Sequence, residues 1–462
     1  MSNTFPDGSL PVTFNPTVAA TIQDRTLQRV YRDALFPNLL FRMEAMRELW
    51  PIHLGQSQTF TRAGLMEVTT LPGQPGVDPQ SETYSFEQWD ATAQQWKGAI
   101  DTDMPTSYLA LASQYLRNIH QLGMKSGQSI NRVVRDKGYN AYVAGNTVTD
   151  AAATTGASTI HVANLTGFTT NLFNGRQQPV SASNPVNITI PALSGGTTAY
   201  QVTAVTPDVA GDPIHGGTLT ITPTLSGNLA SRSAVLTEKR SQLVYSGGGT
   251  SVDSIDASDT FAVRDIRTAI AQLRFNNVPA HEDGLYHWHL DPQSEQQVFA
   301  DNEFQRLNQS MPDYVHYRRF ALAIFGGGVF YRNNEAPNVQ TCSTNTAKSN
   351  THGFELTNGA SVDIRRPICT GQGWIEEKYI DESQYISAAG IMGKIGEFAV
   401  TNGGIQVVTE GVRLIMRAPV DKMQQTTTTA YSISGDWPVP TDELGPGSKA
   451  TYKRAVVVVH AA

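Results

Sequence analysis

The chain has 462 residues, two cysteines and a formal net charge of −7. That length allows about three domains, and two cysteines are too few for a disulfide framework, so we expect Cys342 and Cys369 to be reduced. The sequence contains no run of about 18 apolar residues, so no membrane span is predicted. Its first residues show no basic segment followed by an apolar one, so no secretion signal is predicted. The acidic net charge argues against binding of nucleic acid through a basic surface.

The first 56 residues predict an arm and two helices. Residues 1 to about 16 read as an extended segment punctuated by proline. Helices are predicted at Thr17–Leu35 and Leu39–Leu49, because Pro37 separates the two apolar patterns and Pro51 follows the second.

Residues 57–100 predict an extended β ribbon. The stretch QTFTRAG is followed by a Gly- and Pro-rich loop, Leu65–Ser81, and then by TYSFEQWDATAQQWKGAI. Such alternating runs around a turn-rich segment are typical of two strands that project from a domain. The ribbon leads directly into a helical pattern.

Residues 101–148 predict a long helix, which we call the spine helix. It opens at Asp103-Met104-Pro105, where proline suits a first helical turn. Apolar residues recur at three- and four-residue spacing as far as Tyr142. Thirty-odd residues at ~1.5 Å each span roughly 50 Å, more than a compact domain needs. Because Gly123 and Gly127 interrupt the pattern, the segment could form either one kinked helix or two collinear helices. A ribbon beside so long a helix favours contacts with other copies of the chain.

Residues 149–245 predict an inserted all-β domain. Its first 88 positions contain few charged residues, namely Asp150, Arg176, Asp208, Asp212 and Arg232. Short alternating runs, STIHVANL, VNITIPAL, AYQVTAVT and GTLTITPTL, are separated by turn residues. The strict alternation favours ordered strands over a disordered tract.

The remaining chain predicts a mixed α/β segment, 246–384, and a closing β segment, 385–462. The first begins at a glycine-rich hinge, Ser246–Ser251, and contains a helix at Asp259–Phe275, a strand at Leu285–Leu290 and a strand pair around Gly326–Gly328. The second contains a helix at Asp381–Gly393, strands in GIQVVT, VRLIMRAPV and YSISGDW, and an apolar run at Arg454–His460 that predicts a strand buried on both faces.

One group of residues could hold a metal ion. His287 and His289 alternate along a strand, so that both imidazoles point to one face, and His281, Glu282 and Asp283 precede them. A metal-dependent hydrolase that uses His281, His287 and His289 is therefore one alternative function. Strand histidines held by ordinary hydrogen bonds are the simpler interpretation, and we expect no metal and no cofactor.

No other motif favours catalysis. The triple glycines at Gly247–Gly249 and Gly326–Gly328 lack the strand, loop and helix context of phosphate-binding loops and predict turns. The tryptophans Trp89, Trp96 and Trp374 predict core or subunit contacts. The segment WIEEKY, residues 374–379, predicts a half-exposed strand. The low charge content of the β domain leaves a β-rich virion adhesin open as a second alternative.

The order of these parts resembles the major capsid proteins of tailed bacteriophages (Caudoviricetes), in the branch typified by the coat proteins of Salmonella podoviruses. The resemblance rests on AYQVTAVT with GTLTITPTL, on DIRTAIAQLRFNNVPAHEDGLYHWHL, on GGGVFYRNN, and on the closing stretch from VRLIMRAPV to YKRAVVVVH. It covers most of the chain. Individually the motifs are loose, and their shared order carries the resemblance.

The resemblance implies the Johnson fold, an α+β class with an N-terminal arm, an extended loop, a spine helix, peripheral and axial domains, and the β insertion. It also implies a structural protein without enzymatic activity that self-assembles into the hexamers and pentamers of an icosahedral shell around double-stranded DNA. Expected partners are other copies, scaffolding and portal proteins and a decoration protein, with assembly in the bacterial cytoplasm. Contacts between subunits are expected on the extended loop, at Arg62, Glu67, Pro72, Pro75, Asp78 and Glu82. Since no lysine lies between Arg62 and Lys97, we expect those contacts to be non-covalent.

Overall fold

A computed structural model describes most of the chain. The described residues are 29–50, 55–63, 86–103, 114–173, 176–193, 200–309, 321–333, 338–339, 364–380, 398–401, 404–409, 411–417, 425–442 and 451–461. They combine helices and strands, which confirms the predicted α+β class. Within them, no helix is long and apolar enough to cross a membrane. The predicted helix at Asp381–Gly393 and the N-terminal arm lie outside the described residues.

Six α-helices are described. They are α1 (29–35), α2 (Leu40–Met43), α3 (Gln114–Tyr142), α4 (Val263–Phe275), α5 (Pro292–Ala300) and α6 (Asn302–Gln309).

The strands of the first half are β1 (Met46–Leu49), β2 (Ser57–Ala63), β3 (Phe86–Thr92), β4 (Gln94–Asp103), β5 (Asn146–Val148), β6 (Thr159–Val162), β7 (Thr170–Phe173), β8 (Arg176–Pro179), β9 (Val186–Thr189), β10 (Tyr200–Val209), β11 (Asp212–Thr222), β12 (Ala234–Thr237) and β13 (Leu243–Tyr245). Those of the second half are β14 (Tyr286–Leu290), β15 (Ala321–Phe325), β16 (Gly328–Arg332), β17 (Asn338–Val339), β18 (Ile364–Arg365), β19 (Ile368–Thr370), β20 (Glu376–Tyr379), β21 (Phe398–Thr401), β22 (Gly404–Thr409), β23 (Val412–Arg417), β24 (Thr426–Asp436) and β25 (Ala455–Ala461).

The chain divides into two compact units. The first unit comprises residues 1–58, 91–134 and 377–437. Its sheet has the order β1-β20-β24-β23-β22-β21, and β4 pairs along β24 from Gln94 to Asp103. Trp96 packs against Trp437 with ring centroids 4.7 Å apart. The predicted closing strands in GIQVVT and YSISGDW are confirmed, and the one predicted in VRLIMRAPV is confirmed as far as Arg417, where the described residues end.

The second predicted helix, Leu39–Leu49, is wrong over most of its length. Helix α2 ends at Met43, and residues 46–49 form strand β1. Trp50 donates its backbone N–H to the carbonyl of Tyr379, 2.8 Å away, on strand β20. The sheet thus supplies the backbone hydrogen bonds that a continuing helix would have formed, and tertiary pairing overrides a weak helical pattern.

The second unit comprises residues 59–90, 135–376 and 438–462, and the inserted domain within it is a barrel. Six strands follow the order β5-β12-β9-β10-β11-β6. A bridge between Thr149 and Val162 returns the last strand to the first, with a hydrogen bond of 3.0 Å from Ala163 N to Val148 O. A core that includes Phe168, Val202 and Leu219 fills the interior. The prediction of ordered strands is confirmed, and closure leaves no long open edge.

The rest of the second unit surrounds a mixed sheet. Its order is β15-β16-β14-β19-β25-β18-β17, with β13 parallel to β25. All seven residues of β25 are buried, which confirms the strand predicted from the run at residues 454–460. Helix α4 packs its apolar face, including Ile266 and Leu273, in the same core as Trp288 of β14. The carboxylate of Asp265 accepts a hydrogen bond from the backbone N–H of Ala262 at 3.2 Å, and this bond caps the N-terminus of the helix.

Helix α3 confirms the predicted spine helix over Gln114–Tyr142, but both ends of the predicted range 101–148 are wrong, since residues 101–103 complete strand β4 and Asn146–Val148 form strand β5. Its 29 described residues are continuous and span about 43 Å at ~1.5 Å per residue. They pass through Gly123 and Gly127 without interruption, so the chain forms one helix here and not two collinear helices. At Gly123, a Cβ atom would lie 2.8 Å from the carbonyl oxygen of Tyr31 on α1. The two glycines therefore allow close packing of α1 on α3.

Candidate functional site

The root of the ribbon is held by an ionic cluster inside the second unit. Arg62 on β2 donates to the carboxylate of Asp442, and its guanidinium lies 5.1 Å from the ring of Trp89 on β3. Glu87, fully buried on β3, lies 3.9 Å from Arg62 and accepts the hydroxyl of Thr441 at 2.6 Å. These bonds fix the two ribbon strands to the C-terminal segment.

The six residues predicted for subunit contacts therefore fall into two groups. Arg62 is used within its own chain, since Asp442, Glu87 and Trp89 surround its guanidinium. The remaining five, Glu67, Pro72, Pro75, Asp78 and Glu82, lie outside the described residues. Their role in contacts between copies stays a prediction.

Several large apolar side chains are exposed in a single chain. Phe275, at the end of α4, is 87 % exposed, more than any other large apolar side chain among the described residues. In the first unit, Met43, Met46 and Leu49 recur every third residue on α2 and the adjacent strand β1. All four residues of β1 are exposed, although the strand pairs with β20. Exposed apolar surface of this kind favours association with another protein surface.

Strand β20 differs from the half-exposed strand predicted for WIEEKY. Glu377 and Lys378 are buried, at 1 % and 2 % exposed. Arg42 of α2, also buried, donates its Nε to Glu377 at 2.8 Å, and Lys378 pairs with Glu48 on β1. The predicted pattern was wrong because a strand whose charges meet partners of opposite charge can be buried in spite of its polarity.

The three histidines of the metal hypothesis are not gathered at one point. His281 and His287 stack, with ring centroids 4.0 Å apart and planes inclined by 15°. His289 is buried, and its Nδ1 lies 3.2 Å from the side-chain amide nitrogen of Asn333. The structure therefore brings together His281 and His287, and His289 serves a different contact.

A second histidine cluster lies deep in the second unit. His460 Nε2 on β25 is 2.7 Å from the hydroxyl oxygen of Ser294 on α5, and Ser294 donates to Asp291. All three residues are at most 2 % exposed. Burial lowers the pKa of His460 to about 4, although the backbone carbonyl of Ala461 and the carboxylates of Asp291 and Asp265 raise it. Since no substrate can reach the serine, this group stabilises the fold and does not resemble a working hydrolase site.

Sequence reasoning missed the buried ionic groups and the exposed Phe275. The ionic pairs had no local signal, because Arg42 and Glu377 are 335 positions apart. Phe275 did have one. It follows Arg274 at the last position of α4 and falls outside the apolar stripe of that helix, which includes Ile266, Ile270 and Leu273. An aromatic residue off the buried stripe predicts exposure.

Comparison with known proteins found resemblance only among solved structures. No protein-family model and no curated protein matches the chain. The capsid of Ralstonia phage GP4 is 12 % identical, with a TM-score of 0.46, and the alignment covers 90 % of this chain and 87 % of that one. The cyanophage Pam1 capsid is 9 % identical, with a TM-score of 0.47 and coverage of 89 % and 86 %. The capsid of Helicobacter pylori bacteriophage KHP30 is 8 % identical, with a TM-score of 0.46 and coverage of 90 % and 87 %. Because these TM-scores lie below 0.5, function is argued from the residues of this chain.

Proposed function

We propose that this chain is the major capsid protein of a tailed bacteriophage. Copies of it associate into hexamers and pentamers, and these build an icosahedral shell that encloses double-stranded DNA. The protein acts as a wall and catalyses no reaction. It assembles in the bacterial cytoplasm with scaffolding and portal proteins, and a decoration protein can bind the finished shell.

The order of elements along the chain carries this proposal. A two-strand ribbon rooted at Arg62 is followed by a helix of 29 described residues, a closed barrel, and a mixed sheet that ends in the buried strand β25. The same order was expected from the motifs that resemble phage coat proteins. A chain that combines a ribbon, a long helix and exposed Phe275 leaves surface for neighbouring copies to cover.

The net charge of −7 agrees with a container for DNA. A wall with an acidic balance does not bind phosphates strongly, so packaged DNA stays free to enter and leave. Cohesion then comes from many modest subunit contacts repeated by symmetry. The ribbon loop has no lysine between Arg62 and Lys97 that could form a covalent link, so its contacts with neighbouring subunits are non-covalent.

Expression of the chain alone and together with its neighbouring genes tests the proposal. We expect closed polyhedral particles in negative-stain electron microscopy and a particle mass of many subunits in sedimentation. A chain that remained monomeric beside every other virion component would refute it. Comparison of Phe275→Ser with Val209→Ser, a matched exposed control on the barrel hairpin, tests whether Phe275 takes part in the contacts between subunits.

A further inference from the structure

A polar cavity of about 250 Å³ lies within the second unit. It is lined by residues of β7, β8 and β9, by the end of β12 with Glu238 and Lys239, and by Thr441, Thr451 and Tyr452. Glu238 and Lys239 are exposed, so solvent reaches the cavity. Threonine, amide and charged residues dominate the lining, and the volume is just below the roughly 300–1,000 Å³ of pockets that take drug-sized ligands. The cavity therefore suits a small polar molecule.

Hydrogen bonds between the lining residues hold this cavity in shape. Asn171 Nδ2 donates to the carbonyl oxygen of Pro185 at 2.8 Å, which connects β7 to the start of β9. Asn187 Nδ2 donates to Glu238 Oε2 at 3.0 Å, and the backbone N–H of Glu238 donates to the carbonyl of Asn187 at 2.9 Å. Because these bonds fix the side chains within the chain itself, a ligand meets an ordered surface and loses little free energy in ordering it.

The same bonds leave oxygen acceptors for a ligand. A carbonyl oxygen only accepts, so the contact with Pro185 places the amide nitrogen of Asn171 there and its Oδ1 at the other end. Within the described residues, neither Asn171 Oδ1 nor Glu238 Oε1 receives a hydrogen bond, and the hydroxyl of Thr170 has no partner. A ligand that brings several O–H or N–H donors therefore fits these positions.

The charges and the aromatic ring of the lining narrow the class of ligand. Glu238 and Lys239 carry opposite charges, so the lining is neutral in total, and a cation or an anion would meet a like charge as well as an opposite one. Tyr452 adds an aromatic ring, which Tyr142 contacts edge-on with ring centroids 6.3 Å apart. Such a ring packs against C–H groups. Hydroxyl donors on a neutral carbon ring combine all of these properties.

We propose that this cavity binds a neutral polyol of the size of a monosaccharide. Hydroxyl groups of the ligand donate to Asn171 Oδ1 and Glu238 Oε1, and its C–H groups pack against Tyr452. The cavity lies within one unit of one chain. Its occupancy is therefore independent of assembly and of the proposed capsid role.

Saturation-transfer NMR of the purified full-length chain with D-glucose, D-galactose and D-mannose tests this site. We expect at least one of these sugars to bind with a dissociation constant on the order of 1 mM. Glu238→Gln keeps an oxygen for Asn187 but replaces the other acceptor by an N–H₂ donor, so it should weaken binding about tenfold or more. Glu282→Gln, at an exposed position outside the cavity, is the matched control and leaves the affinity unchanged.

Hydrogen exchange of the wild-type chain locates the bound sugar without depending on the folding of a variant. Slower exchange with the sugar present, in peptides that contain residues 167–171 and 237–239, supports the site. Slower exchange confined to other peptides would overturn the proposal. So would the absence of binding by all three sugars, equal binding by Glu238→Gln and Glu282→Gln, or tighter binding of putrescine or inorganic phosphate than of any sugar.

Discussion

Acidification should weaken the second unit through His460. The imidazole of His460, on β25, is buried against α5, and its Nε2 lies 2.7 Å from the hydroxyl oxygen of Ser294. The charged groups that shift its pKa are Asp291, Asp265 and Arg365. Burial lowers its pKa from an ordinary 6.5 to about 4 in the folded chain. Between these two values the unfolded chain binds a proton that the folded chain does not, so stability is complete above pH 6.5 and is lost as the pH falls toward 4.

The expected loss follows from those two pKa values. Between pH 7.5 and pH 5.0 a single group of this kind removes about 2 kcal/mol of unfolding free energy. His460→Gln keeps a side chain that can hydrogen-bond Ser294 but cannot titrate. The variant should therefore lose about 2 kcal/mol less than the wild type over the same pH range, whatever its own stability at pH 7.5.

Hydrogen exchange with mass spectrometry measures this locally. Peptides that contain residues 455–461 report the opening free energy of β25 at each pH, after correction for intrinsic exchange rates. His120→Gln, at an exposed position on α3, is the control and should keep the wild-type pH dependence. If His460→Gln and the wild type lost the same stability on acidification, the assignment of a buried neutral imidazole at His460 would be refuted.

Three further changes test the packing and the surfaces. Arg42→Met should cost about 1.5–3 kcal/mol in urea unfolding, because it removes one of two arginines that meet the buried Glu377, the other being Arg47 at 3.2 Å, and the double change Arg42→Met/Glu377→Met should cost less. Gly127→Ala should destabilise by roughly 1–3 kcal/mol in spite of a better helix propensity, since its Cβ atom would lie 2.7 Å from the carbonyl oxygen of Leu35. Phe275→Ser should leave the unfolding midpoint nearly unchanged and reduce the yield of particles at least about tenfold, since a buried aromatic anchor is worth 2 kcal/mol or more.

Matched changes show whether these effects are specific. Arg29→Ala removes an exposed pair with Asp33 and should cost less than about 1 kcal/mol. Gln128→Ala lies on the same helix as Gly127, on its exposed side, and should be neutral within roughly 0.5 kcal/mol. Equal losses for Arg29→Ala and Arg42→Met, or a neutral Gly127→Ala, would contradict the burial and packing described above.

The regular elements with strong patterns could be predicted from the sequence. The three- and four-residue spacing along α3 and the alternation in GTLTITPTL each set a period over many residues, and both elements are present at the expected positions. The apolar run of β25 likewise predicted a strand covered on both faces. In these segments each side chain agrees with its neighbours, so local sequence suffices.

The candidate site was predicted less completely. His281 and His287 were singled out together with His289, but only the fold decides which imidazoles converge. Strand pairing brings Thr370 of β19 beside His287, at register position His287↔Thr370, 83 residues away along the chain. A local sequence pattern cannot predict a contact between residues that are 83 positions apart.

The sequence by itself determined the order of the elements, the barrel strands and the long helix, because hydrophobic periodicity is a local property. Only the tertiary structure decided that residues 46–49 pair as a strand, that Glu377 and Lys378 are buried, and that His460 is sealed beside Ser294. A charged or polar side chain can be buried only where a partner of suitable charge or hydrogen-bonding capacity meets it. For Arg42 and Glu377 that partner lies 335 residues away, so folding and not local pattern fixes the outcome.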